Sequence, residues 1–545
     1  MNCIERTPSA YAYPLLIKQL LHTPLANSPD QEIVYRDISR YSYRSLRERI
    51  GRLASGLAGL GVTPGQTVAV MDYDSHRYLE CFFGVPMMGA VLQTVNVRLS
   101  PEQILYTLNH AKADVLLVHG DFVPMLAIIR EQLETVKHFV LLSDTGAGTA
   151  NAFQIPFAFE YDQLLAGAAP DYDFPDFDEN TRATTFYTTG TTGAPKGVYF
   201  SHRQLVLHTL AVAAALGTAP VEGRLARDDV YMPLTPMFHV HAWGLPYVAT
   251  MLGVKQVYPG RYVPDAIVQL VAKEKVTFSH CVPTIMHMLL SSPKLKEVSL
   301  AGWKVIVGGS SLTRGMATAA LAQGIDVFTG YGMSETCPIL TLAQVDGTDL
   351  ADPEANVSRR IKTGRVLPLV DLRVVDEAGQ DLPRDGKTPG EVVVRAPWLT
   401  QGYLHDPAGA EALWDGGVLH TGDIGHIDGA GYLQITDRMK DVIKTGGEWI
   451  SSLELESIVS AHPAVAEVAV IGVEDKKWGE LPLGLVILKP GVEVRPEEIR
   501  QHVRHHADAG HISRFAVLMH VRFVESLTRT SVGKLNKKAM REEQA

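Results

Sequence analysis

The sequence predicts an α/β protein: a large N-terminal domain of layered α/β sheets with a β-rich subdomain, followed by a small, mobile α+β C-terminal domain. Three observations carry this expectation. At 545 residues the chain exceeds what one hydrophobic core supports, so at least two domains are expected. Through the first two-thirds, short β-rich runs alternate with helical periodicity, the pattern of mainly parallel sheets covered by helices. From residue 372 to 433 the texture changes to short strands joined by Gly-rich turns.

The elements follow in order. Residues 43–60 and 76–88 carry apolar side chains at helical spacing, whereas 68–71, 115–119 and 138–142 are continuous apolar runs of strand length. A strand over 183–187 leads into a Thr/Gly-rich loop, and a helix-competent stretch follows at 201–216. In the β-rich region, 376–380 and 428–431 read as turns. A domain boundary is placed at Asp437, giving 1–436 (with 372–436 as the β-rich subdomain) and 437–545. Beyond it, 466–472 and 483–488 read as strands, and a helix starts at Pro496. Proline at the first helical position, Glu497 and Glu498 in the first turn and Arg504 near the end all suit the helix dipole.

Composition excludes several classes. With 46% hydrophobic and 20% charged residues the chain reads as globular. A net charge of −10 with no block of Lys and Arg argues against nucleic-acid binding. Four widely spaced cysteines without C-x-x-C suggest neither zinc nor a disulfide framework, and fit a reducing cytoplasm. Lys18 interrupts the N-terminal apolar run, so no secretion signal is expected. The longest apolar run, 210–216, is too short to cross a bilayer, and a soluble cytoplasmic protein is expected.

Six segments carry chemistry. The first, YTTGTTGAPKGV at 187–198, places Gly190, Gly193 and Gly197 among Thr188, Thr189, Thr191 and Thr192, with Lys196 near its end. Glycines let the backbone turn its N–H groups inward, the hydroxyls donate further hydrogen bonds and the ammonium adds a point charge: a phosphate cradle. It is not a nucleotide P-loop, because Pro195 and Gly197 stand where Gly and Ser/Thr are required. The plainer alternative is a surface turn. The second, PMFHVHAW at 236–243, has His239 and His241 two apart. They could ligate a metal, but no third ligand sits at suitable spacing; packing beside aromatics is the alternative.

The third joins VGGSS (307–311) to TGYGMSET (329–336), each a strand ending in glycines on which a flat ring or an acyl chain can lie. Glu335 offers the oxygen ligand a hard cation wants. The fourth, HTGDIG at 420–425, contains Asp423, which alone would read as a turn residue. The fifth, DRMKDVIKTGGEWIS at 437–451, could be a solvated helix face through Asp437, Arg438, Lys440, Asp441 and Lys444. The sixth, TRTSVGKLNKKAMRE at 528–542, carries Lys534 beside Gly533, and its Lys537 and Lys538 read as a solubilising tail.

In this order the six segments resemble the signatures of the adenylate-forming enzymes: acyl-CoA synthetases, luciferases and the adenylation domains of peptide synthetases. PMFHVHAWG and KTGGEWIS are most similar to medium- or long-chain fatty acyl-CoA ligases. The resemblance implies nucleotide binding by Thr188, Thr189, Gly190, Thr191, Thr192, Gly193 and Lys196, and by Gly309, Ser310, Tyr331, Gly332, Met333 and Ser334. Tyr331 would lie against the base, Asp423 would hold the ribose hydroxyls and Arg438 the ribose or phosphates. Glu335 with Thr188 would hold magnesium.

An acyl pocket is implied at His239, Val240, Trp243, Val307, Gly308, Gly332 and Met333, with His239 at the carboxylate end and Trp243 as a gate. A coenzyme A channel is implied at Lys444, Gly446, Gly447, Glu448 and Trp449, a hinge at Asp437, and catalysis by Lys534 with Lys196, Thr188, Glu335 and His239. Thr189 and Ser334 replace the family's usual Ser and Thr, and both keep the hydroxyl. His239 stands where peptide-synthetase domains usually carry an aspartate, which disfavours an amino-acid substrate. Thr528 replaces a frequent proline before Arg529, implying a less rigid loop.

The implied reaction uses ATP, Mg2+ and coenzyme A to turn a medium- or long-chain fatty acid into its CoA thioester through an acyl-adenylate. AMP and pyrophosphate are the other products, and a homodimer is a family-level expectation. Alternatives are a CoA ligase for an aryl, branched or sulfur-containing acid, a luciferase-like oxygenase, and a non-catalytic acyl or nucleotide sensor; the last is disfavoured because Lys534 and Glu335 are both present.

Overall fold

The computed structural model describes residues 1–144, 153–188, 194–219, 223–510, 512–530 and 534–544. Among them, two large sheets build the N-terminal domain. The nine-stranded sheet has a parallel centre formed by Glu32–Tyr35, Lys255–Tyr258, Val230–Leu234, Phe278–Cys281, Lys304–Gly308 and Asp326–Gly332. Antiparallel strands flank it: Ser39–Ser42 at one edge, Ile339–Leu342 and Arg365–Val366 at the other. The seven-stranded sheet is parallel except for its last strand.

The expected strands and helices are present. The apolar run around residue 68 is Thr67–Met71, buried at every position, as a parallel strand covered on both faces must be. Helix Tyr43–Gly59 starts where the Ser42 side chain accepts from Ser45 N–H. Helix His76–Met87 is buried throughout, because it packs on strands of both sheets. Helices Pro101–His110 and Val123–Ile129 cover the outer face of the seven-stranded sheet through Ile104, Leu108, Val123 and Leu126.

One element departs from the sequence reading. The loop after strand Arg182–Tyr187 does not lead straight into a helix. Gly197–Ser201 first returns as an antiparallel strand, pairing Tyr187 with Gly197 and Arg182 with Ser201. Only then does helix His202–Thr218 begin, with Ser201 and Gln204 forming a reciprocal cap. The two strands therefore hold Thr188 and Lys196 together, with Thr188 N–H donating to Lys196 O at 3.0 Å.

The β-rich region is a four-stranded antiparallel sheet of Asp371–Val375, Gly390–Arg395, Leu419–Ile427 and Leu433–Arg438. Its expected turns are set by aspartates: Asp376 accepts from Ala378 and Gln380 N–H, and Asp428 from Ala430 and Tyr432 N–H. The C-terminal domain has its own five-stranded sheet, built on the long antiparallel pair Val465–Asp475 and Gly479–Leu488. Helices Ser452–Ser460 and Pro496–Asp508 pack a separate apolar cluster against it.

Candidate functional site

The parallel strands ending at Leu234, Cys281, Gly308 and Gly332 open on one cleft at their C-terminal edge, where open α/β sheets bind ligands. His239, Val240 and Trp243 form one wall, Tyr331 to Ser334 another, and Gly309 the floor. Lys534, from the far end of the chain, closes the cleft. A Cβ placed on Gly309 would stand 3.1 Å from Lys534 Cε and 3.8 Å from its Nζ, so the side chain lies directly on this glycine. Burial pushes the Lys534 ammonium down to about 8; Arg438 acts in the same direction, while Asp423 and Glu335 oppose it.

Glycines set the closeness of the walls. A Cβ on Gly308 would lie 2.5 Å from Gly330 O and 3.0 Å from the Trp243 ring, and one on Gly332 would lie 1.7 Å from Pro338 O. The indole thus rests on bare backbone. Its other neighbour is the His280 ring, with centroids 5.1 Å apart. Between these walls the cavity is small, about 20 Å³.

Opposite lies a polar wall. Tyr331 donates to Asp423 Oδ2 at 2.7 Å, and Arg438 Nε stands 3.1 Å from Asp423 Oδ1. Asp423 and Arg438 are cross-strand partners, so register fixes this pair. Glu335, buried, accepts from the Tyr403 hydroxyl at 2.8 Å. The Lys196 ammonium lies 4.4 Å above the Tyr403 ring and 3.4 Å from Asp406 Oδ2, and Thr188 Oγ1 accepts from Lys196 N–H at 3.2 Å. Lys196, Tyr403 and Glu335 therefore form a continuous chain from the base of the Thr/Gly-rich loop to the buried carboxylate. Thr189, Gly190, Thr191, Thr192, Gly193 and Gly533 lie outside the described residues.

The loop bearing His239 is pinned on both sides. Asp74 Oδ1 accepts from Met237 N–H at 2.8 Å, Asp74 Oδ2 accepts from the Tyr262 hydroxyl at 2.5 Å, and Thr94 donates to Phe238 O at 2.9 Å. Beyond the pins, Val240, His241, Ala242 and Trp243 all take left-handed φ values of 47–59°. Each such residue costs about 1–2 kcal/mol, so surrounding contacts hold this turn in place. His241 is fully buried among Phe82, Phe186 and Tyr247, and neither ring nitrogen has a partner. That is the aromatic packing alternative, and the metal alternative drops out. Burial holds His239 and His241 at about 3, so both are neutral at physiological pH; Lys534 adds to the effect on His239.

Other expected residues lie elsewhere. Val307 is buried within its strand and Ser310 is exposed, and neither lines the cleft. Lys444, Gly446, Gly447, Glu448 and Trp449 form an exposed hairpin on the C-terminal domain, with Lys444 Nζ 5.6 Å from the Trp449 ring. Asp437 is not on a solvated helix: it is the penultimate residue of the last strand of the four-stranded sheet, buried, accepting from Ser452 N–H at 2.6 Å and Arg438 N–H at 2.8 Å. Lys537 is also not a solubilising residue. It is buried in an ion pair with Glu456 at 2.8 Å and donates to Ser452 Oγ at 2.6 Å, whereas Lys538 is exposed.

The sequence reading missed Asp74, Tyr403 and Asp406, which carry no local pattern and acquire roles only through long-range contacts. Among the described residues, no group of three or more His, Cys, Asp or Glu is placed to hold a metal, and no helix is long and apolar enough to cross a membrane.

Residues 21–404 match the AMP-binding enzyme family and residues 454–534 the AMP-binding enzyme C-terminal domain. The chain is 40% identical to a long-chain-fatty-acid–CoA ligase of Thermus thermophilus, over 94% of this chain and 92% of that protein. It is 37% identical to a 3-methylmercaptopropionyl-CoA ligase of Ruegeria lacuscaerulensis, over 97% of both. Among solved structures it is similar to ATP-bound MatB from Rhodopseudomonas palustris, with 26% identity, a TM-score of 0.81 and coverage of 96% of this chain and 98% of that one.

Asp74 yields a stability prediction. Burial raises its carboxyl to about 7, above the roughly 3.9 of an unfolded chain. Between those values the folded protein holds a proton that the unfolded chain has lost, so stability declines as pH rises from about 4 to about 7. Asp74→Asn, which cannot ionise, should flatten that decline in urea-unfolding midpoints; an unchanged slope would show that Asp74 titrates normally.

Proposed function

The chain belongs to the AMP-binding enzyme family and is an AMP-forming acyl-CoA ligase; we propose that the acid it activates is a medium- or long-chain fatty acid. What supports it is the similarity to the Thermus thermophilus long-chain-fatty-acid–CoA ligase, together with the Trp243 indole lining the cleft that the Lys534 ammonium enters.

A carboxylate is a poor electrophile, because its oxygen is a poor leaving group. In the first step a carboxylate oxygen of the acid attacks the α-phosphorus of ATP, the bond to pyrophosphate breaks, and acyl-adenylate forms. No general base is needed, since the acid is already ionised. Catalysis is then positioning plus stabilisation of charge on phosphate oxygens. We assign that stabilisation to Lys534, with Lys196 and the Thr188 loop. Neutral His239 offers hydrogen bonding at the carboxylate end without adding a second cation.

Asp423 would accept the ribose hydroxyls on its remaining lone pairs while Tyr331 and Arg438 keep it oriented. The donor set fits magnesium: one buried carboxylate, Glu335, oriented by Tyr403, suits an ion that takes most of its ligands from water and phosphate. When bound, the ion would neutralise charge on the phosphates.

In the second step the coenzyme A thiolate attacks the acyl carbon and the bond to AMP breaks. With Lys534 in the cleft and the Lys444–Trp449 hairpin away from it, the conformation is the one suited to the first step. We assign the exchange of lid positions to rotation at Asp437, and the thiol channel to the hairpin.

A sulfur-containing or short acid is the second reading. It is favoured by the similarity to the 3-methylmercaptopropionyl-CoA ligase and by the small volume left beside Trp243.

Three outcomes follow. Lys534→Ala should slow ATP–pyrophosphate exchange by about 100–1,000-fold while leaving thioester formation from supplied acyl-adenylate nearly intact. Equal loss in both half-reactions would remove Lys534 from its assigned role. With its ammonium near 8 in the free enzyme, kcat/KM for pyrophosphate formation should decline as pH rises through about 8. Lys534→Arg, always charged, should lower the rate but abolish that decline. Trp243→Ala should shift chain-length preference across a panel of acids more than it shifts the KM for ATP; a change confined to ATP would dismiss the gate.

A further inference from the structure

The sequence singled out Arg529 as the first basic residue of a segment lacking its usual preceding proline, and nothing above has used it. The segment is held without proline. Thr528 donates to Glu543 at 2.9 Å and its carbonyl accepts from Asn536 N–H at 2.9 Å. Arg529 bridges Leu535. Thr530 N–H donates to Lys534 O at 2.7 Å, and Lys534 N–H to Thr530 Oγ1 at 3.2 Å. Arg529 and Lys534 thus lie on two short paired segments, so fixing one restricts the other.

The guanidinium of Arg529 reaches across to the other domain. Nη1 donates to Thr284 Oγ1 at 2.8 Å, while Nη2 donates to both Glu467 oxygens at 2.7 and 2.8 Å. Thr284 is the second residue of helix Pro283–Leu290 in the N-terminal domain. Val282, which caps that helix, has Cγ1 3.2 Å from the position of a Cβ on Gly309, beside Lys534 Cε. The contact between domains therefore lies next to the point where the ammonium enters the cleft.

We propose that Arg529 and Thr284 are a positioning pair that seats the Lys534 segment for adenylation and releases it for the thioester step. The inference rests on the reading of Lys534 given above. Its energetics suit a contact broken at every turnover. A guanidinium at the positive end of a helix is unfavourable by itself, and Glu467, which travels with Arg529 on the C-terminal domain, offsets that cost. Among the described contacts, what reaches across the domains here is a charge-assisted hydrogen bond between partly exposed groups. Both halves of the device are selective: Glu467 stays with Arg529 in either lid position, whereas Thr284 is engaged only when Lys534 is home.

The test is Thr284→Val, which keeps the branched shape and removes the acceptor, beside Thr284→Ser, which restores it. ATP–pyrophosphate exchange should be slowed about ten-fold by Thr284→Val and recover in Thr284→Ser. Thioester formation from supplied acyl-adenylate should be unchanged or faster in both variants. Exchange at the wild-type rate in Thr284→Val, or equal losses in the two half-reactions, would overturn the pairing. Lys534→Ala run alongside separates the two claims. If that variant is selective for exchange and Thr284→Val is not, the latch fails alone; if Lys534→Ala is unselective, the reading of Lys534 fails with it.

Discussion

The Lys534 ammonium, carried on the smaller domain, lies on the floor of a cleft built by the larger one, and the proposed chemistry depends on this contact. Glycine suits the floor, because Gly309 holds a φ of +80° and a Cβ there would press on Lys534 Cε at 3.1 Å. The strands beneath have to be parallel and covered on both faces, because only then do their C-terminal ends converge on one opening. The C-terminal domain is a separately packed unit, with an apolar cluster distinct from the N-terminal core. Burial lowers the Lys534 ammonium to about 8, and under the proposed function phosphate oxygens would meet a poorly solvated cation there, where electrostatic attraction is strong.

A second constraint is strain. Four consecutive non-glycine residues, Val240 to Trp243, hold left-handed conformations, and a β-branched residue is among them. Asp74 and Thr94 clamp the segment before the turn, and Gly244 ends it.

Much of this was legible in the sequence, for identifiable reasons. Fully buried parallel strands such as Thr67–Met71 and His138–Leu142 read as continuous apolar runs, and the cleft's glycine-ended strands announce themselves as strings. Proline and acidic residues marked the start of helix Pro496–Asp508 within the residue. What could not be read depends on partners distant in the chain. Lys537 looks like any tail lysine until Glu456 is brought beside it. Tyr403 and Asp406 gain their roles from Glu335 and Lys196, and Asp74 from a backbone N–H in another loop. Strand Gly197–Ser201 escaped notice because it is short and runs directly into a helix cap. The left-handed turn was hidden because Val, Ala and Trp carry no local preference for it.

The central claim is that activation is complete before coenzyme A takes part, with the lid lysine in the cleft for that step alone. Rapid mixing of the enzyme with ATP, magnesium and a fatty acid, without coenzyme A, tests it most directly. The account predicts a burst of about one pyrophosphate per active site and a matching amount of bound acyl-adenylate. Pyrophosphate release that waits for coenzyme A, or a burst without acyl-adenylate, would contradict it.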